Sequence, residues 1–117
     1  MRAELKGILS PDLDWESEFP SDPDNFEVFI QVFVGPAEGG GSESFDITIY
    51  SPLRISAIVS EHGIFDGRHS LIVARFDKDQ IESYLRRRID SLTANDWSSL
   101  AEKVARLGYW EFEDYEE

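Results

Sequence analysis

The sequence contains no cysteine. That excludes a disulfide framework and a thiolate metal site. Histidine is nearly as scarce: His62 and His69 are the only two, and they do not stand in a metal spacing such as His-x-x-x-His. No run approaches the ~20 apolar residues of a membrane span. The start, Met1-Arg2-Ala3-Glu4-Leu5-Lys6, has no apolar core of a signal peptide. With cysteine absent as well, the expected location is the cytoplasm. Base is short too, with 11 Lys and Arg against 24 Asp and Glu, a formal net charge of −13. Nucleic acid and anionic membranes are therefore poor expected partners, and a basic protein is a good one.

Motifs for chemistry are missing in the same way. No Gly-x-Ser-x-Gly marks a nucleophile. The triple glycine Gly39-Gly40-Gly41 lacks the Gly-Lys-Ser/Thr ending of a phosphate loop, so it reads as a hairpin tip. Asp22-Pro23-Asp24-Asn25 has a little of a calcium loop, without its following Gly or its bidentate Glu. The expectation is no catalytic residue, no cofactor and no bound metal. A small hydrolase using paired carboxylates stays open as an alternative, because the acids are numerous.

What is present is patterned apolar sequence, 41% of the chain, with aromatics at 13%. A chain of 117 residues is enough for one domain, and residues 1–117 read as one. Its strongest signal is Phe26 to Val34. Phe26, Val28, Ile30, Val32 and Val34 alternate with Glu27, Phe29, Gln31 and Phe33. Phe29 and Phe33 make the second face apolar as well, which predicts a central strand with both faces at least partly covered. Residues 2–9 read as a first strand. Ser44 to Tyr50 reads as the antiparallel partner of the central strand. His69 to Phe76 reads as an internal fourth strand, and Tyr109 to Phe112 as a fifth.

Ser51-Pro52 signals the start of a short helix ending near Gly63, with Leu53, Ala57 and Ile58 inward. Asp77, with Gln80 as a capping-box partner, opens a second, whose stripe is Ile81, Tyr84, Leu85, Ile89 and Leu92. Asn95 is the expected cap of a third, carrying Trp97, Leu100, Ala101, Val104 and Leu107. The acidic end, Glu113 to Glu117, is expected to fray. The expected class is α+β: a single domain with a mainly antiparallel sheet of about five strands and about three helices, mostly on one face.

Charge divides the chain. Residues 7–53 hold ten acids and no Lys or Arg, and the chain after Arg106 repeats that pattern. Within the first stretch lies a long loop, residues 10–25, containing Pro11, Pro20 and Pro23. Its acids are Asp12, Asp14, Glu16, Glu18, Asp22 and Asp24, interleaved with Leu13, Trp15 and Phe19. Ordered loops of this length tend to carry function. Asp12, Asp14, Trp15, Glu16, Glu18, Phe19, Asp22 and Asp24 are therefore the candidate partner-binding residues. The acids would steer a basic partner and the rings would anchor it. The alternative for Trp15 and Phe19 is that they pin the loop to the body.

Several segments together resemble the immunity protein 8 family of bacterial polymorphic toxin systems. They are Ala3-Glu4-Leu5-Lys6 with Ser10-Pro11-Asp12, Asp22-Pro23-Asp24-Asn25-Phe26, Gly35-Pro36, Glu43-Ser44-Phe45-Asp46 and Arg68-His69-Ser70-Leu71-Ile72-Val73. The most specific is Gly108-Tyr109-Trp110-Glu111-Phe112-Glu113-Asp114-Tyr115. Ser51-Pro52-Leu53-Arg54 departs from the Pro-x-Trp-Leu of that family. The resemblance implies a non-catalytic α+β domain that binds and blocks a cognate toxin domain in the producing cell. A homodimeric interaction module built on Phe29 and Phe33 is the alternative.

Overall fold

The chain forms strand β1 (Ala3–Leu9), β2 (Glu27–Pro36), β3 (Glu43–Tyr50), helix α1 (Pro52–His62), β4 (Ser70–Ile72), α2 (Lys78–Asp90), α3 (Trp97–Val104) and β5 (Tyr109–Trp110). This computed structural model describes residues 1–112. The expectation for Glu113 to Glu117 lies outside the described residues.

The strands make one sheet in the order β1-β2-β3-β4, and β5 also pairs with β3. β1-β2, β2-β3 and β3-β5 are antiparallel, and β3-β4 is parallel. The sheet is therefore mixed and mainly antiparallel, in an α+β domain, as expected. β2 and β3 form the long hairpin, with Ile30 opposite Ile47 and Val32 opposite Phe45. A register shift between Leu5 and Gly7 sets Lys6 out of the ladder. Its Nζ donates to Gly39 O at 2.7 Å, tying the bulge to the hairpin tip.

Phe26, Val28, Ile30, Val32 and Val34 are all buried, as their alternation predicts. Phe45, Ile47 and Ile49 join them from β3, and Ala3 and Leu5 from β1. Ile81, Leu85 and Ile89 of α2 and Leu100, Ala101 and Val104 of α3 complete this core. Each fully buried Val, Leu or Ile among these stabilises the fold by ~1.5–3 kcal/mol. Phe29 and Phe33 face the other way and are half-buried.

Four local expectations need correction. Asp96, not Asn95, caps α3, accepting from Ser99 N at 2.8 Å. Both residue types cap well, but the carboxylate makes the stronger bond to an N–H at a positive helix end. α1 starts at Ser51-Pro52 and ends on Gly63 (φ 82°) as expected, yet buries none of its residues. It lies in the crossover from β3 to the parallel β4, away from the core that α2 and α3 cover. Its region touches outward strand residues instead: Arg54 pairs with Glu27 at 3.0 Å, and Phe65 packs edge-on against Tyr50.

The fourth strand is only Ser70–Ile72 and lies at an edge of the sheet. Its apolar continuation bends away to pack elsewhere. Phe76 N donates to Pro23 O at 2.9 Å, and the Phe76 ring meets both Phe26 and Trp15. The fifth strand is likewise shortened to Tyr109–Trp110. Gly108 makes its pairing feasible, since a Cβ there would lie 2.9 Å from Ile47 Cγ1 and 3.0 Å from Phe45 Cβ.

Candidate functional site

The loop between β1 and β2 is held by its own side chains. Ser10 Oγ donates to Phe29 O at 2.6 Å, and Asp12 Oδ2 accepts from Phe29 N at 2.8 Å. These two residues continue the ladder past the end of β1, supplying side-chain partners where backbone has run out. Asp14 Oδ1 then accepts from Glu16 N at 3.0 Å, and Glu18 Oε1 from Asp14 N at 2.7 Å. Asp22 Oδ1 accepts from Asp24 N at 2.9 Å, and Asp24 pairs with Arg75 at 3.3 Å. Asp22 and Asp24, the faint calcium-like pair, are thus engaged with backbone and with a base.

Trp15 sits at the centre of this loop and is only 4% exposed. Its ring lies edge-on to Phe76 with centroids 5.9 Å apart, and its Nε1 donates to Glu82 Oε1 at 2.6 Å. It pins the loop to α2. Phe19 stands out at 69% exposure. Between the two rings lies Lys78, whose Nζ is 5.6 Å from the Trp15 centroid and 4.6 Å from that of Phe19. Among the described residues this buried ammonium has no hydrogen-bond partner, and the rings supply its contacts. It steadies the Phe19 ring on its inner side and leaves the outer side to solvent.

The six acids of the loop are all exposed. Asp12, Asp14, Glu18, Asp22 and Asp24 also hold the loop's shape, whereas Glu16 has no side-chain partner among the described residues. Sequence reading did not foresee Lys78, Glu82 or Arg75 at this site. Each lies more than fifty residues further along the chain than the acids and rings it meets, and no local pattern announces such contacts. Elsewhere, burial first and the nearby Glu27 carboxylate second push the Tyr50 hydroxyl above its ordinary pKa. Among the described residues no group of three or more His, Cys, Asp or Glu is placed to hold a metal ion, and no helix is long and apolar enough to cross a membrane.

Fold and loop together define a small α+β domain that presents a braced acidic loop carrying an exposed aromatic ring. The family model for immunity protein 8 matches residues 3–115, nearly the whole length, and the chain belongs to that family. It is thus an immunity protein of the kind found in toxin systems. No curated protein and no solved structure matches the chain.

Proposed function

We propose that the chain binds and neutralises the toxin domain of a bacterial polymorphic toxin system in the cytoplasm of the producing cell. The contact is the Asp12–Asp24 loop against a basic surface of the toxin. The carrying observation is Phe19, 69% exposed inside an acidic loop that Trp15 fixes to the core. A ring held in place before binding loses little freedom on burial, which favours it as an anchor. Trp15 itself acts from inside, as the post of the loop. The chain inhibits by occupying a surface and needs no catalytic group of its own.

The test is binding kinetics with the toxin domain encoded beside this chain, alongside rescue of growth in cells that express it. Phe19→Ala is expected to speed dissociation by ~30-fold or more, the range of a central aromatic anchor. Glu16→Gln removes a charge without loosening the loop and is expected to slow association. If both variants bind and rescue like the wild type, the loop is a solubility feature and the contact is elsewhere.

A further inference from the structure

The sheet has an outward face that the core does not use. On β2 it presents Phe29, Gln31 and Phe33, and register places Asp46 of β3 opposite Gln31. Leu9 also stands opposite Gln31 from the β1 side, and Tyr109 pairs with Asp46 from β5. Leu9 is 55% and Tyr109 47% exposed. Residues directly opposite on one face have Cβ atoms roughly 5 Å apart and diagonal ones roughly 7–8 Å. Asp46 therefore lies among Gln31, Tyr109, Phe29 and Phe33, with Ser44 and Thr48 beside it on its own strand.

Among the described residues the only hydrogen bond to its side chain is from Gln31 Nε2 at 3.2 Å, a neutral donor. No cation comes within ion-pair distance of it among the described residues. This is an acid on a face of aromatic rings and small neutral polar groups, without a charge partner among the described residues. Apart from Tyr109, the residues around it belong to the stretch 7–53, which has no Lys or Arg at all. Arg54, the nearest base in sequence, pairs with Glu27 at 3.0 Å, and Lys6, at the other end of the stretch, is drawn off to Gly39.

We infer that this outward face is a second part of the toxin-binding surface, with Asp46 at its centre receiving a cationic side chain, arginine by preference, from the basic partner. The inference rests on the proposed function and names the surface beyond the loop. Charge complementarity selects the occupant. A planar guanidinium can take both carboxylate oxygens while lying against flanking rings, which an ammonium does less well. A second copy of this chain would bring another −13 charge to the same place. The face is also continuous with the loop, because Ser10 and Asp12 fasten the loop to the backbone of Phe29. One partner surface can therefore cover both.

The experiment measures affinity of the full chain for the toxin domain encoded beside it. Hydroxyl-radical footprinting of the free and bound chain reads the same complex without any substitution. Asp46→Asn keeps the shape and the Gln31 contact, and is expected to weaken binding by ~10-fold or more, as loss of one member of a desolvated charge pair does. Asp46→Lys should abolish it. Glu61→Gln, an equal change in net charge on α1, should shift affinity by less than ~2-fold, as a screened distant charge does. Footprinting should show Leu9, Phe29, Phe33 and Tyr109 protected in the complex. If the toxin binds while Asp46→Asn matches Glu61→Gln and those four stay reactive, the inference is overturned and the loop reading survives. If the wild-type chain does not bind the toxin at all, both fall. Protection of the four in the free chain, through self-association, would also overturn it.

Discussion

Trp15 and Phe19 belong to one loop and meet opposite surroundings, so their truncation should separate stability from binding. Trp15 is buried against Phe76 and satisfies its N–H on Glu82. Trp15→Ala leaves a cavity and an unpaired carboxylate, and should cost about 3–5 kcal/mol in urea unfolding. Phe19→Ala removes a ring already largely in water. It should change stability by less than about 0.5 kcal/mol, as surface substitutions do. A large stability loss for Phe19→Ala would mean that its stacking on Lys78 is structural. Ser51 is a third residue whose role exceeds its size. It is fully buried, accepts from Phe26 N at 2.9 Å and Arg54 N at 3.2 Å, and so joins the start of β2 to the cap of α1. Ser51→Ala should cost about 1–3 kcal/mol, since Phe26 N is then buried without a partner.

At the scale of elements, the clearest constraint is where β5 meets β3. Gly108→Ala would place a Cβ 2.9 Å from Ile47 Cγ1 and 3.2 Å from Asp46 O. It should cost about 1–3 kcal/mol by overpacking, and a neutral result would show that β5 can shift without loss. Helix α3 offers a pH test. The hydrogen bond from Ser99 N holds the Asp96 carboxyl below its ordinary pKa. A lowered folded value means the stabilisation is fully present above the ordinary carboxyl pKa and is lost as pH falls through the folded one. The stability gap between wild type and Asp96→Asn should therefore close on acidification. The caps of α1 and α2, the alternation of β2 and the stripes of α2 and α3 were legible in sequence because each is a short-range pattern with one physical cause, whereas the cap of α3 was placed one residue early because Asn95 and Asp96 are both capping types side by side. The short β4 and the exposed α1 were not, because their apolar residues answer to distant partners. Phe76 packs on Trp15 and Phe26, and nothing local to Phe76 says so. The acidic loop was visible as a candidate site, but the division of labour between Trp15 and Phe19 was not, since either ring could have been the one turned inward.

For the whole molecule the governing quantity is the uneven charge, −13 in total with ten acids and no base between residues 7 and 53. The loop and the β2-β3 hairpin fall wholly inside that stretch, so the folded state gathers like charges that an unfolded chain could spread apart. Their repulsion opposes folding, and salt relieves it, because the screening length falls from ~30 Å at 0.01 M to ~10 Å at 0.1 M ionic strength. The urea midpoint should therefore rise as sodium chloride is added from low ionic strength. On the proposed reading the same field would attract a basic toxin and raise its association rate by ~10–1000-fold, a gain that screening would remove. Salt should then act with opposite sign on the two measurements, strengthening the fold while slowing the encounter. Solubility alone predicts the first effect without the second. The two are separated by measuring stability and association rate across one salt series. An association rate that ignores salt while stability climbs would leave the acidity with no part in finding the toxin.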